Sequence, residues 1–195
     1  MPTPVYLVRH GESEWNLLRR TQGQIAHPRL TERGRTQAAA AADLIAADMA
    51  ERDRVVLSIV TSDLTRAAQT AAILADRLRA RLAYDTRLRE QALGELEGKS
   101  YEETWAAADA HDWSDPSLPV AGGESPMDVY ERVGALLDEV IGADTAGAIV
   151  LVSHGDAIRM ALAHLAGVAP HQAPWVAVDN GAVARLGDQV TWIGQ

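Results

Sequence analysis

The chain reads as an α/β fold: three α/β/α layers, with a mainly parallel central sheet flanked by helices. Strand-like and helix-like patterns alternate along its 195 residues, the arrangement that parallel sheets require. Two short apolar runs, Val5-Tyr6-Leu7-Val8 and Ile149-Val150-Leu151-Val152, each lead into a histidine and a glycine, His10-Gly11 and His154-Gly155. A helical pattern follows each pair. Open α/β sheets place their ligand crevices at the carboxyl ends of strands, so one sheet edge is expected to carry two imidazoles. Arg9 beside the first of them points to an anion, and phosphate is the anion that fits best.

The elements follow in order. A strand at about 5–8 leads to a short helix at about 13–18, and Thr31 has the chemistry of an N-cap for a long alanine-rich helix ending near Ala50. A β-branched strand spans about 55–60. Ser62-Asp63 is expected to cap the next helix, with Arg66 in its first turn and an end near Ala80. A short strand at 82–84 precedes Arg89-Glu90. A helix is predicted over about 101–111, before Ser114-Asp115-Pro116-Ser117-Leu118-Pro119, which reads as loop. Helix over 124–141, strand over 148–152 and helix over 156–166 come next. The last part, 176–193, reads as a hairpin turning near Gly187-Asp188. With no repeat and no linker, one domain over 1–195 is expected, with a lid-like segment at about 98–123.

Composition narrows the function classes. A hydrophobic content of 47% and a charged content of 23% are those of a globular protein. The absence of cysteine excludes disulfides, thiolate metal sites and a cysteine nucleophile. No basic stretch followed by an apolar core opens the chain, and no apolar run approaches the roughly 20 residues of a membrane span. A cytoplasmic protein without a membrane partner is the expectation. The net charge of −9 argues against nucleic acid, whose binders need a basic field. An acidic protein that binds a small anion must therefore gather its arginines at the site.

Three residue types supply the chemistry. A neutral imidazole at His10 can attack phosphorus and hold the phosphoryl group, splitting one difficult displacement into two easier ones. A lone histidine is more often a buried group bonded to a carbonyl, but Arg9, Gly11 and the following helix start favour the site. Arg66 also follows a strand end, and its paired donors match two phosphate oxygens; an isolated helix arginine would ordinarily be solvated. Ester cleavage needs a proton for the departing alkoxide, and a carboxylic acid beside phosphate can supply it. Composition alone leaves Glu90, Glu95 and Glu97 open for that task.

Taken together the motifs resemble the histidine phosphatase superfamily, which includes cofactor-dependent phosphoglycerate mutases and related phosphatases. The resemblance rests on residues 7–16, LVRHGESEWN, then Arg20-Thr21-Gln22-Gly23 and Leu30 to Ala38. Residues 62–70, 88–98, Gly122-Gly123-Glu124-Ser125 and Val152-Ser153-His154-Gly155 follow in the family's order. It implies His10 as the nucleophile that becomes phosphohistidine. It implies Arg9, Arg66 and His154 as ligands of the phosphoryl oxygens and Glu90 as the general acid. Asn16, Gln22, Gly23 and Gly155 would add phosphate or substrate contacts. No metal and no cofactor are implied, since arginines crowding both histidines disfavour a cation.

Asp156 departs from the pattern, standing where many relatives carry a second glycine. It is read as a helix N-terminal residue favourable to the dipole, with a place on the pocket rim as the alternative. Trp105 and Trp113 fall in the lid-like segment; packing is the default for both, and stacking on substrate the alternative. His27, His111, His164 and His171 match no motif and are expected on the surface or in packing roles.

Family membership leaves the reaction open. The family's mutases have a long basic insertion after the general acid and a C-terminal tail over the site. Here the segment from Gly98 to Gly123 is short and carries Asp109, Asp112 and Asp115, and Gln195 follows closely on the last predicted strand. The expectation is a metal-independent phosphomonoesterase releasing inorganic phosphate from a small phosphorylated metabolite. A phosphoglycerate mutase is the alternative, and a non-catalytic phosphate-ligand sensor a more distant one.

Overall fold

The computed structural model describes residues 3–143 and 145–194. Among these, the strands are β1 (Val5–Arg9), β2 (Val56–Thr61), β3 (Arg81–Tyr84), β4 (Ala148–Ser153), β5 (Val183–Leu186) and β6 (Thr191–Ile193). They form one sheet in the order β3-β2-β4-β1-β5-β6. The first four strands pair in parallel, and β5 and β6 are added antiparallel. The expected mainly parallel sheet is therefore present, with a mixed edge.

Helices cover both faces because the side chains of the central strands alternate between two apolar layers. Tyr6, Val8, Val150 and Val152 face the layer built with Ala38, Ile45, Ala67 and Leu74 of α2 (Glu32–Glu51) and α3 (Thr65–Leu78). Val5, Leu7, Ile149 and Leu151 face the layer built with Val133, Leu137, Ile158 and Ala161 of two other helices. These are α5 (Pro126–Ile141) and α6 (Gly155–Ala166). Every residue of β4 is buried, as expected of a central strand covered on both sides. No helix among the described residues is long and apolar enough to cross a membrane.

Local chemistry sets the helix starts. Ser13 caps α1 (Glu14–Leu17) in a capping box with Asn16, and the Thr31 hydroxyl accepts the Gly34 N–H at 3.0 Å to open α2. Ser100 and Glu103 form the same box at α4 (Tyr101–Asp109), as do Ser125 and Asp128 at α5.

Two expectations are corrected. Ser62-Asp63 does not cap α3, whose N-cap position is Leu64 without a side-chain bond. The Asp63 carboxylate is taken by Arg89, at 2.7 and 2.5 Å. The C-terminal hairpin starts at Val183 rather than 176. Residues ahead of it are drawn away from the ladder by partners at the sheet's carboxyl edge: the Val178 carbonyl accepts from Arg9, and Asn180 donates to the His10 carbonyl at 3.1 Å.

Candidate active site

The carboxyl ends of β1, β2 and β4 open onto a cleft of about 190 Å³. Its walls include Arg9, His10, Asn16, Gln22, Gly23 and Arg66, together with Glu90 and Gly155. His154 lies behind this wall, fully buried, with its ring 5.1 Å from that of His10. All the residues expected from sequence thus come to one end of the sheet.

His10 sits one residue beyond β1 and is 2% exposed. Its Nδ1 lies 2.7 Å from the Gly11 carbonyl, which can only accept, so Nδ1 carries the proton and Nε2 keeps its lone pair. The turn that allows this is packed backbone to backbone. A Cβ at Gly11 would meet the Gly34 carbonyl oxygen at 2.2 Å, and one at Gly34 would meet that of Glu12 at 2.1 Å. Burial first, then the charges of Arg66 and Arg9, hold His10 well below the ordinary histidine range. His154 is pushed down in the same sense by burial, Arg66, His10 and Arg9, and neither ring nitrogen has a partner among the described residues.

The two arginines are aimed by carbonyls. Arg66, 1% exposed in the first turn of α3, donates to Gly23 at 2.8 Å and Ile25 at 2.9 Å. Burial pulls it down to about 10. Arg9 donates to Val178, and the Nε atoms of both arginines are buried without a partner among the described residues. Gly23 is needed where it stands: its φ is +46°, and a Cβ there would meet Glu97 Oε1 at 2.1 Å.

Geometry separates the three glutamates. Glu97 Oε1 accepts from the Gln24 and Leu93 amides at 2.8 and 3.1 Å and so supports the loop, while Glu95 is exposed. Glu90 faces the cleft. Its Oε1 accepts the N–H groups of Gln91, Asp156 and Ala157, each at 3.1 Å. It thereby serves as the distant cap of α6, whose own N-cap residue His154 offers no side-chain bond. Burial and then the Asp156 carboxylate raise Glu90 above the usual glutamate range, against Arg66 and Arg9. Arg132 holds the Glu90 carbonyl at 3.0 Å and is itself paired with Glu124 at 2.9 Å.

Asn16 and Gln22 are tied to the site through Ser13, whose hydroxyl lies 3.0 Å from Asn16 Oδ1 and 2.7 Å from Gln22 Oε1. Asp156 satisfies both of its readings: it stands in the first turn of α6 and lines the cleft. Trp105 is 58% exposed and lines the cleft, whereas Trp113 donates to the Ala108 carbonyl at 2.8 Å and meets His111 edge-on, ring centres 4.5 Å apart. Core packing, the default expectation, holds for neither. Thr21, Leu93, Tyr101, Thr104 and Arg159 also line the cleft and were not anticipated. Tyr101, Thr104 and Trp105 share one face of α4 at i, i+3 and i+4, a spacing that could have marked them.

Fold and site together define an α/β protein with two arginines, two histidines and a glutamate gathered at the carboxyl edge of its sheet. The family model of the histidine phosphatase superfamily (branch 1) matches residues 5–189, and the chain belongs to that superfamily. It is similar to the probable phosphoglycerate mutase GpmB of Yersinia pestis (strain Pestoides F), 35% identical over 188 residues, 93% of this chain and 83% of that protein. Among solved structures it resembles the mycobacterial glucosyl-3-phosphoglycerate phosphatase complexed with VO3. That pair is 32% identical, with a TM-score of 0.80 over 99% of this chain and 98% of the other. It also resembles the Entamoeba histolytica phosphoserine phosphatase in complex with 3-phosphoglyceric acid: 26% identity, TM-score 0.78, 94% and 89% coverage.

Proposed function

We propose that the chain is a metal-independent phosphomonoesterase acting on a small phosphorylated metabolite through a phosphohistidine on His10. The observation that carries this reading is the fixed tautomer of His10, whose Nε2 lone pair stands at a cleft shared with Arg9, Arg66 and Glu90. In the first step Nε2 attacks phosphorus and the ester P–O bond breaks. Glu90 donates its proton to the leaving oxygen, and the guanidinium groups and His154 stabilise the equatorial oxygens. In the second step Glu90, now a carboxylate, takes a proton from water as that water attacks phosphorus. Inorganic phosphate leaves and neutral His10 is restored. Two arginines beside two histidines repel a metal cation, which supports a metal-free reaction.

A mutase is the second reading, favoured by the name of the Yersinia relative. Against it, the lid-like segment contributes only Tyr101, Thr104 and Trp105 to the cleft, none of them basic. A bisphosphorylated intermediate held away from water would call for added positive charge there. Phosphate release from a panel of phosphomonoesters in the presence of chelator, comparing wild type with His10→Ala, tests the proposal. Release that survives in His10→Ala overturns it. Isomerisation of phosphoglycerate dependent on added bisphosphoglycerate, without phosphate release, assigns the mutase.

A further inference from the structure

The first turns of α6 bring a second charged pair to the active-site edge. Asp156 and Arg159 form an ion pair within the helix, and both line the cleft. The Asp156 amide donates to Glu90 Oε1 at 3.1 Å, so its carboxylate belongs to a residue that Glu90 itself caps. Arg159 is fixed from behind: its Nε donates to the Val176 carbonyl at 2.8 Å, and its guanidinium lies 4.8 Å from the Trp175 ring centre. The backbone at Gly155 shows how closely the groups approach. A Cβ there would have Arg159 Nη1 at 3.6 Å, Glu90 Oε2 at 3.7 Å and Arg9 Cζ at 3.8 Å. One methyl-sized space touches the candidate acid and both guanidinium groups.

We propose that Asp156 and Arg159 act as a positioning pair that sets the protonation state of Glu90, Asp156 holding the proton on and Arg159 limiting that effect. The other charged and titratable groups around Glu90 are constant in this scheme. Arg9 and His10 come from the end of β1, Arg66 from α3, Arg132 from α5 and His154 from the end of β4. Arg66 and Arg9 favour the carboxylate, as do the amides of Gln91, Asp156 and Ala157. Burial works first to keep the proton on Glu90, and against that much positive potential a nearby negative charge adds to it. Asp156 is the carboxylate placed to supply that charge. Arg159 bonds Asp156 and also reaches the cleft, so the pair can divide its charge between Asp156 and Glu90. The catalytic consequence rests on the hydrolase reading above; the effect on Glu90 itself does not.

The test reads Glu90 directly. Protein labelled with 13C at the glutamate carboxyl carbon is titrated by NMR, with Glu90→Gln assigning the resonance. Asp156→Asn is expected to move the Glu90 midpoint down by about one pH unit, the usual effect of removing a neighbouring like charge. Arg159→Gln is expected to move it up, and Arg159→Lys, which keeps the charge, to leave it near wild type. Opposite directions are the signature, because loss of a merely structural ion pair would disturb the site in one direction for both variants. Midpoints that move together, or that stay within 0.3 of wild type by the same measure, overturn the proposal. The alkaline limb of kcat is then followed in the same variants. If the NMR midpoints split while kcat ignores them, the assignment of Glu90 as acid fails and the charge pair stands.

Discussion

The two ends of the sheet differ in a way that volume alone would misjudge. At the carboxyl end lies the cleft of about 190 Å³ around His10. At the amino end Thr3, Pro4 and Val5, the helix ends at Ile141 and Leu165, and the β5–β6 turn frame a groove of about 960 Å³. Both ends carry arginines. In the groove, Arg52 and Arg185 share the one Asp48 carboxylate, at 3.0 and 3.4 Å, and Arg54 stands beside them, but no histidine and no glutamate among the described residues lines the groove. In the cleft, Arg9 and Arg66 are oriented by the carbonyls of Val178, Gly23 and Ile25. A carbonyl aims a guanidinium without neutralising it, so positive potential is left for an incoming anion. The smaller opening is the one where His10 and Glu90 join the arginines.

The sharpest way to break this comparison is to remove the nucleophile. His10→Ala is expected to lower phosphate release by about 10³-fold or more, in line with losses on deleting a covalent nucleophile. Glu90→Gln should cost about 10²-fold on alkyl phosphates, the lower range for general acids. It should cost much less on an aryl phosphate, whose leaving oxygen needs little protonation. Equal losses on both substrates, measured as kcat, would remove Glu90 from the acid role.

A smaller effect appears in stability against pH. His10 and His154 are held below their unfolded value of about 6.5, so the unfolded chain takes up protons that the folded chain refuses as pH falls through that value. Their contribution is therefore present above about 6.5 and lost as pH drops below it. Glu90 works in the opposite sense: its raised folded value lends stability at low pH that fades as pH rises. Thermal unfolding of wild type and His154→Asn between neutral and mildly acidic pH isolates the histidine part, and the variant should show the shallower decline. A parallel decline would mean that His154 is not buried as a neutral ring.

The smallest effect on chemistry belongs to the amino end. Leu165→Ala in the groove should reduce stability by about 1–2 kcal/mol through lost apolar burial. Its kcat should stay within about twofold, well under the about tenfold that 1.4 kcal/mol of barrier represents. A tenfold loss of kcat in that variant would show that the two ends communicate.

Much of this arrangement was legible in the chain. The alternation of apolar strands with amphipathic helices depends on local periodicity, and it appears where it was expected from β1 through α6. Ser13, Thr31, Ser100 and Ser125 cap their helices through bonds to residues only three positions away. His10, Arg9 and Arg66 stood out because their motifs are short and ordered, whereas Glu90 was singled out from Glu95 and Glu97 only by the family resemblance. What local reading could not reach depended on partners far along the chain. Asp63 was lost to α3 because Arg89, 26 residues on, claims its carboxylate. The final hairpin starts late because Arg9 and His10, about 170 residues earlier, engage Val178 and Asn180.

By itself, then, the sequence determined the elements, their order and the residue types able to carry phosphoryl chemistry, because propensity, capping and hydrophobic period act over a few residues. Only the tertiary structure decided which of three glutamates faces the cleft and which carbonyls aim Arg9 and Arg66. It also decided that Glu90 caps α6 beside Asp156 and Arg159. Those outcomes depend on burial and on hydrogen bonds between distant segments, and both come into being only when the sheet brings β1, β2 and β4 side by side.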